Sequence, residues 1–449
     1  MPYGYDPYLV VFCASIYSLI FFLRIYSGTK NFAGFYYSPL KPDVLFLIFY
    51  ALVFFVPYVQ AIDNDLYLYG NKFIDNLFIE NSNKAVAVAT VYAGIFVFGA
   101  LCGERSKFCF ENHFKFTRDQ NIFIFAYKLN IILLIIFMII FEISGASSMM
   151  SGEYTGLGGG SSTSDGIYFL VTQFSMAAAA IFLVGCGSGV KIWSARDKLC
   201  QLIIFFWMLR LLASGDRNNF LLIIMIYIIG FSVYIKRVGF WVIGAIGGFG
   251  WLVYQVVEIT RASGARSIVD FFDAIGKYSG NVEDQNISES SVSLTTTTLR
   301  ASLDLQPFGD AIYYGWFKLV GFMGVIPYSR QLLSNPDDGF YTSAQLITVQ
   351  VLGYDPTWSL GSNVISDVML DFGVYGGGIL MLILGYFSSM FCKAAVGLYH
   401  PLTSSFYLLI GALLFQMPRY SYDFPVRNFF WFLLIYFLSW FICSIKHKN

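Results

Sequence analysis

The sequence predicts an all-α polytopic integral membrane protein with about eleven transmembrane helices and one large extracytoplasmic loop holding short or interfacial helices. Three observations predict it. Of the 449 residues, 57% are hydrophobic and only 12% are charged, whereas soluble domains average about 25% charged. Apolar runs recur along the chain at bilayer length, since a helix needs about 20 residues to cross the hydrocarbon core. A single long polar stretch, 258–363, interrupts them.

Eight runs precede the break, at 8–25, 43–62, 85–102, 122–141, 167–187, 199–213, 219–235 and 239–257, and these are expected to form an N-terminal membrane bundle over 1–257. Three follow it, at 370–392, 401–417 and 426–445, giving a C-terminal bundle over 364–449. The shortest runs are marginal for a span, which leaves the count open by one or two. No cleavable leader is expected. The first apolar run lacks a basic flank before it and a small-residue cleavage site after it.

Charge orients the spans. One set of connections is basic: Arg24, Lys30 and Lys41; Arg105, Lys107, Lys115 and Arg118; Lys191, Arg196 and Lys198; Lys236 and Arg237; Lys393; Lys446 and Lys448. The alternate set is acidic or mixed: Asp63, Asp65, Asp75 and Glu80; Glu142, Glu153 and Asp165; Asp216 with Arg217; the break; and Arg419, Asp423 and Arg427. Lys and Arg near span ends favour the cytoplasm. The N-terminus is therefore expected outside, the C-terminus inside, and the break outside.

The break carries six Lys and Arg against eleven Asp and Glu, so it is a poor anion receptor on its own. None of the seven cysteines lies in it, so no disulfide framework supports it. Its one apolar stretch, Ala311–Ile326, holds Lys318 and three glycines and is short for a span; a helix on or dipping into the outer surface is expected there. The run Gly156–Ser164 reads as a flexible linker or a mobile lid.

Several chemistries are excluded. Zero net charge argues against a nucleic-acid partner. There is no P-loop and no GxGxxG after a strand, and no Cys/His cluster with metal spacing, so neither cofactor nor metal is expected. All three histidines, His113, His400 and His447, fall on the expected cytoplasmic face. An outward-facing site must find its base elsewhere.

Arginines stand where the charge rule disfavours them. Arg217 lies in a Ser214–Asn219 turn, Arg261 and Arg266 follow a span, and Arg419 and Arg427 bracket Tyr420–Pro425 in the last outward hairpin. Guanidinium forks match phosphate oxygens with bidentate, charge-assisted bonds, which makes a lipid pyrophosphate at headgroup level their natural ligand. Local pairing competes with that reading: Arg217 with Asp216, Arg419 with Asp423, Arg261 with Glu258.

The second feature is the run Gly361–Gly378. Asp367 and Asp371 stand at i,i+4, on one helix face at the outer end of a span. They suit a general base or acceptors for sugar hydroxyls; the preference of Asp for a helix N-terminus competes. Gly373, Gly376 and Gly385 read as close-packing positions.

The run Asp367-x3-Asp371-Phe372-Gly373-x2-Gly376, with the later Gly385, resembles the C-terminal motif of the Wzy-type oligosaccharide repeat-unit polymerases. The turn Gly215-Asp216-Arg217-x-Asn219 is similar to a Gly-x-Arg-x-Asn turn of that family, and Arg261, Arg419 and Arg427 resemble further family features. The chain departs from the pattern in lacking the spaced Arg-x10-Gly repeats of some members.

The resemblance implies an O-antigen polymerase of the bacterial inner membrane. It would be a metal-independent glycosyltransferase working on the periplasmic face with undecaprenyl-pyrophosphate-linked oligosaccharides, and it would partner a chain-length regulator. Arg217, Arg261, Arg266, Arg419 and Arg427 are then candidates for the pyrophosphate. Asp367, Asp371 and Asp423 are candidates for the base, unranked. Asn219, Arg300, Tyr420 and Tyr422 are candidates for holding the sugars.

An O-antigen ligase is the nearest alternative, yet such ligases present a histidine in an outer loop near the C-terminal spans, and none stands there. A flippase or other transporter is the second, and it would call for internal repeats, of which there is no sign.

Overall fold

The computed structural model describes residues 6–30, 41–63, 77–106, 116–144, 162–187, 195–213, 216–236, 248, 291–305, 312–323, 325, 340, 342–354, 356, 359–396, 401–422 and 424–446. Among these the chain is helical, with no strand. In order the helices are α1 (Pro7–Lys30), α2 (Pro42–Phe54), α3 (Val56–Asp63), α4 (Ser82–Arg105), α5 (Phe116–Ile143), α6 (Ser162–Gly187), α7 (Ala195–Ala213), α8 (Arg217–Gly230), α9 (Ser291–Asp304), α10 (Trp316–Met323), α11 (Ser343–Leu352), α12 (Val364–Val396), α13 (Pro401–Gln416) and α14 (Phe424–Lys446).

Eight described helical stretches are long and apolar enough to cross a membrane: Pro7–Ser27, Pro42–Val59, Ile79–Arg105, Gln120–Ile143, Gly166–Gly187, Asn218–Ile235, Val364–Met390 and Phe424–Ile445. Each coincides with an expected run. α7 and α13, also expected as spans, are not among the eight. α7 carries Asp197, Lys198 and Arg210. α13 has 16 residues, about 24 Å of helix against a hydrocarbon core of about 30 Å. The expected span at 239–257 lies outside the described residues apart from Gly248.

The chain clusters into two compact units that interleave in sequence. The first joins Met1–Phe108, Glu289–Lys393 and Leu413–Arg427, and the second joins Cys109–Ser288, Ala394–Ala412 and Asn428–Asn449.

In the first unit α4 and α12 meet backbone to backbone. A Cβ on Gly99 or Gly103 would overlap the carbonyl oxygens of Leu382 or Tyr386, and one on Gly385 would overlap that of Phe96. Small residues permit such approach between membrane helices, so Gly385 packs as its sequence context predicts. A buried charge cluster ties the same unit together. Arg24 of α1 donates to Asp43 of α2 at 2.5 Å, to Glu104 of α4 at 2.7 Å and to Ser389 of α12 at 3.1 Å. Lys41 adds a 3.3 Å bond to Glu104. Two cations and two carboxylates cancel, as burial demands.

The short helices of the break belong to this unit. Ala301 of α9, Phe317 of α10, Leu346, Ile347 and Val351 of α11 and Leu370 of α12 form one apolar core with Leu360. α9 is unusual for a membrane protein. It is polar, yet Thr295–Thr298, Arg300 and Ser302 are all buried.

The second unit is built on α6, whose small residues Ala177–Ala180 are wholly buried. Polar bridges fix its neighbours. Trp207 of α7 donates to Thr172 at 3.3 Å, Gln201 joins Tyr127 of α5 to Tyr227 of α8 at 3.0 and 2.6 Å, and Gln173 reaches the Asn428 carbonyl of α14 at 2.9 Å.

Candidate functional site

α12 begins at a buried cap. The Asn363 carboxamide oxygen accepts the Ser366 N–H at 2.9 Å, while its nitrogen donates to Ser366 Oγ at 2.7 Å and to Thr298 Oγ1 of α9 at 2.8 Å. Ser302 Oγ adds a 2.9 Å bond to Ser366 Oγ. These hydroxyls pin the first turn of α12 to α9. Capping of this kind satisfies amides that a helix start leaves open.

Less than three turns later the helix is broken. Gly373 sits at φ 71°, ψ 175°, a region open essentially to glycine alone. The sequence reading of Gly373 as a packing residue is thereby corrected: its missing side chain serves a backbone turn. The break releases carbonyls, and the segment leading into α10 takes them. Tyr313 N–H donates to Leu370 O at 2.8 Å and Gly315 N–H to Asp371 O at 3.1 Å. Gly315, at φ 81°, lies against the Phe372 ring, where a Cβ would stand 3.2 Å from the ring carbon Cζ. Further along, Tyr92 of α4 donates to Val374 O at 2.6 Å.

Seated this way, α10 delivers Lys318 to the two carboxylates one turn apart on α12. Asp367 and Asp371 are fully buried, and the Lys318 side chain is 7% exposed. Lys318 Nζ pairs with Asp367 Oδ2 and stands 3.8 Å from Asp371 Oδ2. The Ser343 hydroxyl, in the first turn of α11, donates to Asp367 Oδ1. From the hairpin before α14, Tyr422 N–H donates to Asp367 Oδ2 at 3.1 Å and its hydroxyl to Asp371 Oδ2 at 3.3 Å. Lys318 Nζ also lies 4.4 Å from the centroid of the Tyr422 ring, within cation–π range.

The carboxylates are unequal. Both oxygens of Asp367 are taken, whereas Asp371 Oδ1 is buried and makes no well-aligned hydrogen bond, although the Phe317 N–H at the start of α10 also faces this carboxylate. A buried acceptor left open costs about 1–3 kcal/mol, and one lysine serves two carboxylates. The arrangement therefore offers one acceptor oxygen still to be filled, on a carboxyl that shares its only cation among the described residues, and a hydroxyl donor fits it. Asp367 does occupy a helix first turn. Its oxygens nonetheless bind groups from three other segments rather than the amides of its own helix.

The site brings together Asp367, Asp371 and Tyr422 from the sequence reading. Lys318 and Ser343 were missed as partners: a lone lysine in an apolar stretch signals that it is paired, but not with which acids, here 49 residues away. Arg419, on the turn after α13, lays its guanidinium 5.9 Å from the Tyr420 ring centroid, and Tyr420 stacks on Phe424 at 4.6 Å. Arg427 is half-buried in the first turn of α14. Neither arginine pairs with Asp367 or Asp371, whose cation is Lys318.

Arg300 is fully buried on α9. Its Nη2 donates to Thr297 at 3.0 Å, while Nε and Nη1 have no partner. In the second unit, Asp216 caps α8: Asn219 N–H and side chain donate to it at 3.1 and 2.8 Å, and the Tyr168 hydroxyl joins them. Asn219 thus has a structural engagement of its own. Arg261, Arg266, Asp423 and the Arg217 side chain lie outside the described residues, and with them the three expected local pairings.

Comparison with known proteins gives one family: the model for the O-antigen polysaccharide polymerase Wzy matches residues 5–449, essentially the whole chain. No curated protein and no solved structure matches it.

Proposed function

The chain belongs to the O-antigen polysaccharide polymerase family, a multi-pass membrane glycosyltransferase of lipopolysaccharide synthesis, and from that membership we propose a reaction centred on Asp371. The acceptor is a lipid-linked repeat unit, and the donor is a growing glycan on undecaprenyl pyrophosphate. A hydroxyl at the acceptor's non-reducing end approaches Asp371 Oδ1 and gives up its proton there. Its oxygen attacks the anomeric carbon of the donor. The bond from that carbon to the phosphate oxygen breaks, and undecaprenyl pyrophosphate leaves with the electron pair. The proton then passes to solvent or to the departing phosphate.

One observation carries the choice of base: Asp371 Oδ1 is a buried carboxylate oxygen with no well-aligned hydrogen bond, while both oxygens of Asp367 are occupied. Arginines at the outer boundary, Arg217, Arg261, Arg266, Arg419 and Arg427, take the pyrophosphate in this proposal and stabilise its developing charge. Arg300, with two open nitrogens, is a further receptor for an anionic part of the substrate, and Asn219, Tyr420 and Tyr422 contact sugars. The charge rule supports a periplasmic site, with the N-terminus outside and the C-terminus in the cytoplasm. A chain-length regulator is the expected protein partner.

The break in α12, with charges inside a span, is also the kind of feature a transporter uses; family membership favours the polymerase. The test is Asp371→Asn, which keeps an acceptor for Tyr422 but removes the base, expressed in a polymerase-deficient host. Loss of a general base lowers the rate by about 10²–10⁴, so the lipopolysaccharide ladder should collapse to a single repeat on core at unchanged protein level. A normal ladder refutes the role. Long chains accumulating off the core point to a ligase.

A further inference from the structure

We propose that Lys318 is a positioning residue for Asp371, working from an anchor on Asp367; the inference rests on the reading of Asp371 as the base. Lys318 already has a complete ion-pair partner in Asp367, which is itself saturated by Ser343 and the Tyr422 amide. A purely structural pair would stop there. Instead a second fully buried carboxylate stands 3.8 Å from the same ammonium, adding a desolvation cost that the pairing of Lys318 does not require. Carboxylates one helical turn apart repel, and the interposed ammonium offsets that repulsion.

Lys318 also sets which oxygen of Asp371 is engaged. Its ammonium sits under the Tyr422 ring at 4.4 Å, and the hydroxyl of that ring is bonded to Asp371 Oδ2 at 3.3 Å. Lysine and tyrosine together occupy Oδ2 and leave Oδ1, itself buried, as the oxygen with no hydrogen bond. The lysine can do this because the α12 break seats α10: the Leu370 and Asp371 carbonyls hold Tyr313 and Gly315, five and three residues ahead of it. The two acids therefore have divided roles, Asp367 holding the lysine and the lysine orienting Asp371.

The test compares folded amount and ladder length for the full chain in a polymerase-deficient host. Asp371→Asn tests the underlying reading by itself. Lys318→Met should lose polymerised repeats by about a hundredfold, the size of effect that follows from misplacing a reacting group by 1 Å. Lys318→Arg, which keeps the cation, should restore part of the ladder. The deciding pair is Asp367→Asn against Lys318→Met/Asp367→Asn. The single variant keeps Lys318 beside Asp371 and should retain a shortened ladder; the double variant removes the lysine without stranding Asp367 and should fold yet make none. A full ladder from the double variant or from Lys318→Met would overturn the proposal. Failure of the double variant to accumulate would make Lys318 a folding element and overturn it too. An Asp367→Asn protein that folds but makes no ladder would overturn the division of roles between the two acids.

Discussion

Gly373→Ala sets the backbone break of α12 against the integrity of the site. An alanine has two ways to respond. It can keep φ 71°, ψ 175°, at a strain of about 1–3 kcal/mol. Or α12 can run straight, recovering about 1 kcal/mol of helix propensity while its carbonyls return to their own helix. Straightening forfeits the bonds from Tyr313 to Leu370 O and from Gly315 to Asp371 O, worth about 0.5–1.5 kcal/mol each. The second route costs no more than the first, so net stability should change by only about 2 kcal/mol. The site, by contrast, loses the seat that delivers Lys318. Thermal denaturation of the purified protein in detergent should therefore move little, while the lipopolysaccharide ladder collapses. Gly378→Ala is the control: a Cβ there meets only the flexible end of Ile95 at 3.3 Å, and the ladder should persist. Wild-type chain lengths from Gly373→Ala at normal abundance would refute the reasoning, because the break would then be dispensable for the chemistry.

Three further outcomes are expected. Arg24→Ala removes the guanidinium that serves Asp43, Glu104 and Ser389 and should cost about 3–5 kcal/mol, with part recovered in Arg24→Ala/Asp43→Asn, measured by thermal denaturation. Gly385→Ala places a Cβ 2.9 Å from the Phe96 carbonyl carbon and 3.0 Å from the Ala100 nitrogen; parting α4 from α12 should cost about 1–3 kcal/mol, read in the same assay. Arg300→Met replaces a buried guanidinium having two open nitrogens with an apolar chain; stability should hold or rise while the ladder shortens, and an unchanged ladder would remove Arg300 from the substrate path.

Much of the fold was legible because apolar runs of bilayer length have few other uses. The spacing of Asp367 and Asp371 was enough to place them on one face, and the outward hairpin was enough to single out Tyr422. Their cation was not legible. Lys318 lies 49 residues from Asp367 in sequence, and a long-range pairing leaves no periodic trace. The break at Gly373 was hidden for a different reason: in a run of helix glycines, a residue needed for its backbone angles looks the same as one needed for packing. Arg24 and Lys41 were read as loop charges that orient the spans. The structure turns both inward, at 1% and 6% exposure, which a count of loop charges cannot distinguish.

The four segments that meet at the carboxylates leave the ribosome in a fixed sequence: the α10 lysine, the α11 serine, the acids of α12, and last Tyr422, 55 residues after Asp367. Membrane proteins emerge and insert from the N-terminus, so the acids enter the bilayer with their cation already waiting but without the tyrosine that closes their remaining edge. Until the final hairpin is made, both carboxylates lack the bonds that Tyr422 supplies. The bonding of the two acids is therefore complete only once the hairpin before α14 has been made.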